Sequence, residues 1–156
     1  MQQGFAACGI QVTLETLPAA EYLAAGPEGP VFGRDFDLAL FAWSAAPVPP
    51  CGLFLSSAIP GAYPAYAQGW GGANAAGYAS PAYDRVCTSA LTALPADPTA
   101  ITDYAQAQAL LAVDLPFLPL YWQDRTSAST ADICGLAAPD GSLAYWNIDE
   151  AKECVR

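Results

Sequence analysis

The sequence predicts an α/β domain, in which a sheet is flanked by helices. GIQVTLETL, which starts at residue 9, alternates apolar with polar residues, as a strand with one buried face does. FDLALFAW, from residue 36, is a continuous apolar run of strand length, which suits a strand covered on both faces. Short helical segments precede and separate these two runs, so helices and strands alternate along the chain.

The elements of the first half are predicted from short local signals. Residues 2–7 are expected to end a helix, because Gly9 is a usual C-terminal cap. Pro18 opens a second, short helix, and GPEGP is a turn cluster. Residues 44–79 contain many prolines, glycines and aromatics but no charged residue, so we expect a loop-rich wall there.

Two amphipathic helices are predicted in the second half. Ser80 and Pro81 have the residue types preferred at an N-cap and at the first helical position, and Pro116 ends the second helix. The positions at helical spacing are Tyr83, Val86, Cys87, Ala90, Leu91 and Leu94 in the first helix, and Ile101, Tyr104, Ala105, Gln108, Leu111 and Leu115 in the second. Three further strands are predicted at FLPLYWQ, DICGL and AYWNIDE.

Composition excludes several classes of function. The 156 residues include 15 acidic residues, 5 basic residues and no histidine, for a net charge of −10. A Ser-His-Asp triad, a Cys-His dyad and a histidine-ligated metal therefore cannot be built from this chain. Nucleic-acid binding needs clustered cations, which are missing, and the charge disfavours anionic membranes. No apolar run approaches the length of a membrane span.

Five cysteines favour disulfide bonds in an oxidising compartment over free, buried thiols. No two are spaced as CxxC, which argues against a zinc ribbon or a thioredoxin-like redox site. We propose Cys51 with Cys87 and Cys134 with Cys154, leaving Cys8 unpaired, although five cysteines allow other pairings.

The order of the segments resembles the C-terminal part of family 5 extracellular solute-binding proteins, which are the oligopeptide-, dipeptide- and nickel-binding receptors of ABC importers. The segments that carry the resemblance are GIQVTLETL, FDLALFAW, NAAGYASPAYDRV, YAQAQALLAVDLPFLPLYW and GLAAPDGSLAYWNI. It implies one lobe of a two-lobed, type II periplasmic-binding-protein fold, with a mixed sheet flanked by helices. Residues 1–125 would form the second lobe, and residues 126–156 would return toward the first.

The resemblance implies extracytoplasmic binding of a solute, of peptide type, for delivery to an ABC permease, without a cofactor. Trp43 and the residues after it, including Ser44, would face the interlobe cleft; a plain core role for Trp43 is the alternative. Family members that hold a peptide α-amine often carry an aspartate where this chain has Ala46. We therefore expect a blocked peptide, a sugar, or another neutral or anionic solute.

The uncharged aromatic loop supplies further candidates for ligand binding. Tyr66, Trp70 and Asn74 suit an apolar or carbohydrate-like ligand, because aromatic faces give contact area and an amide gives orientation. The same side chains would equally serve to fill the interior of the loop.

Two rival functions remain open. One is an acidic, secreted α/β hydrolytic domain that uses paired carboxylates such as Asp35 and Asp37, although no acid lies between Trp43 and Ala82. Asp84 is expected to be a structural contact in a first helical turn. The other rival is an association module, in which the exposed, apolar interlobe face pairs copies of the chain.

Overall fold

The computed structural model describes residues 2–42, 51–94, 97–121, 133–134 and 152–154, and helices account for 46% of them. The α-helices are α1 (Gln2–Ala7), α2 (Ala19–Tyr22), α3 (Pro30–Gly33), α4 (Pro81–Thr92) and α5 (Pro98–Asp114). Short 3-10 turns lie at Cys51–Phe54, Ser56–Ala58 and Gly69–Gly71. Strands β1 (Ile133–Cys134) and β2 (Lys152–Glu153) pair antiparallel, with Ile133 opposite Glu153.

The predicted α/β lobe with a mixed sheet is therefore wrong. Helices dominate the described residues, whose only sheet is the two-stranded pair. Residues 10–17 and 36–42 form no strand, and Leu14 and Leu38 are 71% and 70% exposed. An apolar pattern specifies a strand only where neighbouring strands accept its backbone hydrogen bonds, and none of the described residues forms such a neighbour for these two runs.

The third predicted strand, FLPLYWQ, fails for a more local reason. Its described residues, 117–121, have no regular structure, and Leu118 and Leu120 are exposed. Pro119 has no backbone N–H, so it interrupts the hydrogen-bond ladder that an interior strand needs. In DICGL, residues 133–134 do form a short strand, whereas AYWNIDE lies outside the described residues.

The N-terminal elements follow their local signals. Helix α1 ends at Ala7, and Gly9 has a positive φ of 78°, which suits glycine at a helix end. Helix α2 is a single turn after Pro18, and the GPEGP cluster forms the predicted turn before α3.

Helix α4 starts where its capping residues predict. Ser80 Oγ accepts a hydrogen bond from the Tyr83 backbone N–H at 3.4 Å, and Pro81 occupies the first helical position. The buried face consists of Tyr83, Val86, Cys87 and Ala90, as their spacing predicts. Leu91 and Leu94, which were expected to extend this face, are exposed.

Helix α5 starts at an Asp97 cap, whose Oδ1 accepts from the Thr99 N–H at 2.8 Å, and ends before Leu115, a residue in the left-handed region. It packs against α4. The buried position is Ala107, whereas Ile101, assigned to the buried face from its spacing, is 69% exposed. Because α5 is rich in alanine, its apolar stripe is weak and does not define the buried face. Helix α4 instead packs closely against α5 where the side chain is small, at Ala107.

The main core joins α4 and α5 to the 3-10 turn at Cys51–Phe54. The Phe54 and Phe117 rings stack with centroids 4.7 Å apart. Tyr83 is fully buried, and its hydroxyl donates to the Cys51 carbonyl at 2.8 Å. The buried members of this core are Cys51, Phe54, Tyr83, Val86, Cys87 and Ala107.

A second buried region involves α3 and the loop before α4. Val31 of α3 is fully buried, as is Asn74 in the loop. The Asn74 backbone N–H donates to the Ala58 carbonyl at 2.9 Å, which closes the loop on itself. A side chain at Gly72 would collide with that same Ala58 carbonyl, so the close approach needs glycine. Across the described residues, no helix has the length and apolar character needed to cross a membrane.

Candidate functional site

The candidate site is the contact between Arg34 and Tyr66, taken together with Trp70 four residues later in the same loop, and we call these three residues the aromatic corner. Arg34 is the residue that ends α3, and its φ of 58° places it in the left-handed region. Non-glycine residues adopt this conformation rarely, and such residues cluster at functional sites. Tyr66 and Trp70 come from the uncharged loop, and both are half-buried.

The Arg34 side chain lies against the Tyr66 ring. The guanidinium carbon is 5.3 Å from the ring centroid, within the range of a cation–π contact. Its Nη2 also donates to the Tyr66 hydroxyl at 3.3 Å. The tyrosine therefore holds the guanidinium by its π face and by its hydroxyl oxygen.

Two glycines allow the close contacts around Arg34 and Trp70. A side chain at Gly77 would lie 3.0 Å from Arg34 Nη1, and the φ of Gly77 is 65°, so both space and conformation favour glycine there. The Trp70 ring packs directly against Gly26 in the turn before α3, where a side chain would collide with the indole. The loop is thus docked on residues 26–34 by two aromatic side chains.

Arg34, like the exposed Arg85, has no acidic partner in the described part of the chain. The sequence carries 15 acidic residues, yet Arg34 forms no ion pair with a carboxylate of the described residues. Its chain neighbour Asp35 and nearby Asp37 are both exposed and do not pair with it. The guanidinium has five N–H donors, and its hydrogen bond to the Tyr66 hydroxyl uses one of them. Arg34 is therefore an exposed cation with donors available to a ligand.

Asn74 does not contribute an open polar group. Its Nδ2 donates to the carbonyls of Leu55 at 3.0 Å and Tyr78 at 2.8 Å, and its Oδ1 accepts from the Tyr78 N–H at 3.1 Å. Both amide hydrogens are used and the side chain is fully buried. This geometry favours the loop-filling role that was set beside ligand binding for this residue.

Trp43, Ser44 and Ala46, the cleft residues expected from the family resemblance, lie outside the described residues. Their roles remain predictions. Within the described loop, Tyr63 is exposed three residues before Tyr66.

Asp84 takes a structural position at the start of α4. Asp84 Oδ1 accepts from the Ser56 N–H at 2.9 Å, so the expected structural contact in the first turn of α4 is confirmed. In the described ranges there is no group of three or more His, Cys, Asp or Glu side chains that would hold a metal ion.

Two tyrosines near α4 have raised pKa values. Burial, followed by the Tyr78 and Asp84 charges, raises the pKa of Tyr83 to about 12. Burial also raises the pKa of Tyr78, together with the hydrogen bond that its hydroxyl donates to Asp114 Oδ2 at 2.6 Å. Both groups stay protonated near neutral pH, so they act as hydrogen-bond donors rather than as bases.

Disulfide bonds join Cys51 to Cys87 and Cys134 to Cys154, the two pairs proposed from the sequence. The first ties the loop to α4 inside the main core, and the second links β1 to the residue after β2. Cys8 is free and exposed. Two disulfides are consistent with an extracellular protein.

The sequence pointed to Tyr66 and Trp70 but missed Arg34. In the sequence, Arg34 stands beside Asp35, which suggests a local ion pair rather than a ligand contact. The left-handed turn at the end of α3 directs its side chain to a ring 32 residues later, and no short-range pattern carries that information.

Comparison of the chain with protein-family models, curated proteins and solved structures found no match.

Proposed function

We propose that this chain is an extracytoplasmic solute-binding protein that binds its ligand without transforming it. The observation that carries the proposal is the aromatic corner, where Arg34 has no carboxylate partner among the described residues and lies against the half-buried Tyr66 ring. Aromatic faces supply apolar contact area, and a few polar groups orient a ligand.

Two further observations support the proposal. The disulfides fit an oxidising, extracytoplasmic compartment. The order of sequence segments resembles importer receptors, which favours a peptide-type solute and an ABC permease as the partner. The proposal depends on the corner and on this order of segments, and it makes no use of the mixed sheet.

A thermal-shift screen with peptides, sugars and organic acids tests the proposal, with each hit measured by calorimetry. Tyr66→Leu removes the ring that holds Arg34, and Tyr121→Leu removes an exposed tyrosine outside the corner. We expect Tyr66→Leu to weaken binding by about fivefold or more and Tyr121→Leu to change it by less than about twofold. Equal affinities for all three proteins would contradict a ligand site at the corner.

A second candidate function, association between copies of the chain, is favoured by the exposed apolar surface. Large apolar side chains are exposed along and after α5, namely Ile101, Val113, Leu115, Leu118, Leu120 and Tyr121. Such surfaces favour association.

A further inference from the structure

We infer that Arg34 is the anion-binding residue of the aromatic corner and that the ligand carries a carboxylate beside an apolar body. The inference rests on the proposed solute-binding function and names its ligand class. The C-terminus of an N-blocked peptide and a small organic acid share this chemistry.

The Arg34 guanidinium is available to bind an anion. Arg34 is exposed, and no carboxylate of the described chain neutralises it. Its planar fork of N–H donors matches the two oxygens of a carboxylate and can bind both at once. Because Arg34 has no acidic partner in the described part of the chain, this fork is open to an external anion.

The Arg34 side chain is held in place before any ligand binds. The Tyr66 ring and hydroxyl hold the guanidinium at 5.3 Å and 3.3 Å, which limits the rotamers that a free surface arginine would sample. The left-handed backbone of Arg34 is fixed as its own N–H donates to Val31 O at 3.2 Å and the next N–H donates to Pro30 O at 2.9 Å. A ligand therefore meets a side chain that has already lost part of its conformational entropy.

The loop that carries Tyr66 offers a surface for the apolar part of the ligand. The Gly69 N–H donates to the Tyr66 carbonyl at 3.0 Å, so a single tight turn connects Tyr66 to Trp70. The Gly61 N–H donates to the Gly69 carbonyl at 3.1 Å and closes the same loop. The Tyr66 ring is thus held beside the guanidinium by a braced loop, which suits an apolar body attached to a carboxylate.

The test compares matched ligands on matched variants by calorimetry. The ligands are an N-acetylated Ala-Phe dipeptide acid, its C-terminal amide, phenylacetate as a small organic acid, and inorganic phosphate. The variants are Arg34→Gln, Arg34→Lys and Arg85→Gln, since Arg85 is an exposed arginine on α4 outside the corner.

We expect the dipeptide acid to bind the wild-type protein more tightly than the amide. Arg34→Gln should weaken acid binding by about fivefold, Arg34→Lys by less, and Arg85→Gln by no more than about twofold. Phenylacetate that binds as well as the dipeptide acid would identify a small organic acid as the ligand type, and weaker binding would identify a peptide C-terminus. Both results support the inference.

Equal binding of acid and amide, or an equal effect of Arg34→Gln on both, would overturn the inference. Phosphate could also bind as tightly as the dipeptide acid and lose its binding in Arg34→Gln. That result would show a general anion site instead of a carboxylate site, and it would also overturn the inference. If the proposed solute binding at the aromatic corner is itself wrong, no ligand would bind, or binding would be insensitive to Tyr66→Leu. Binding that depends on Tyr66 but not on Arg34 would overturn only the ligand class.

Discussion

At the scale of single residues, buried polar groups organise the loop that carries the aromatic corner. Asn74 is enclosed completely, and its amide satisfies two carbonyls and one N–H of the surrounding backbone. A buried amide is costly unless it is fully hydrogen-bonded, and here each bond also fixes a segment of loop. The loop therefore owes its shape to one side chain rather than to regular secondary structure.

Replacing Asn74 with alanine should destabilise the protein by about 2–4 kcal/mol, because three half-buried backbone groups lose their partner and the buried amide is removed. Urea unfolding followed by circular dichroism measures the change. Gln68→Ala in the same loop removes an exposed amide and should change the free energy of unfolding by less than about 0.5 kcal/mol. Equal stabilities of the two variants would contradict the structural role of Asn74.

Tyr83 should make the protein lose stability at alkaline pH. Its pKa is raised in the folded protein from 10.0 to about 12, so folding favours the neutral hydroxyl. The corresponding stability is complete below pH 10 and is lost as the pH rises from 10 toward 12, in total roughly 2–3 kcal/mol.

Urea unfolding at several alkaline pH values measures this loss, with Tyr83→Phe as the matched variant that cannot titrate. A Cys8→Ser background prevents the exposed free thiol from attacking the disulfides at high pH. The difference in stability between the tyrosine and phenylalanine proteins should shrink as the pH rises. A difference that stays constant across this range would show that Tyr83 titrates normally.

At the scale of elements, local signals predicted the helices, whereas apolar patterns misjudged the strands. Ser80 and Pro81 place the start of α4 because a cap acts on the turn that follows it. The runs at 10–17 and 36–42 have strand-like patterns, but a strand also needs a partner, and sequence patterns do not reveal partners.

The disulfide between Cys51 and Cys87 should be the more important of the two for stability. It closes a longer loop, with a separation of 36 residues against 20, and it lies in the main core. Chain entropy alone predicts a loss of about 4 kcal/mol for Cys51→Ala with Cys87→Ala, and about 3 kcal/mol for the pair Cys134→Ala with Cys154→Ala.

Thermal unfolding of the two double variants measures the order of these effects. The variant without the core disulfide should have the lower melting temperature, because it also leaves a cavity. A lower melting temperature for the variant without the second disulfide would contradict this assignment of the main core.

At the scale of the whole molecule, exposed apolar side chains should cause self-association. Val113 is 80% exposed on α5, and Leu118 lies exposed just beyond the helix. We expect sedimentation velocity over a wide dilution series to show reversible formation of dimers. Val113→Lys combined with Leu118→Lys should shift the equilibrium to monomer, and Gln108→Lys at an exposed polar position of α5 should leave it unchanged. Monomers at every concentration of the wild-type protein would exclude this surface as an interface between copies.

The candidate site was partly predictable from the sequence. Tyr66 and Trp70 were candidates because aromatic faces in an uncharged loop suit a ligand, although a role in filling the loop was equally open. Asn74 looked similar in the sequence, but only the fold shows that its amide is already used. Arg34 was missed because its contact with Tyr66 depends on tertiary structure across 32 residues.

Chemical-shift mapping tests the central claim, that the aromatic corner binds a solute, most directly. The nitrogen-15-labelled protein is titrated with the N-acetylated Ala-Phe acid while backbone amide and indole N–H signals are recorded. We predict saturable shifts centred on Arg34, Tyr66 and the Trp70 indole, with little change at the Arg85 amide on α4. Shifts that are absent, that do not saturate, or that centre on α4 and α5 would contradict the account.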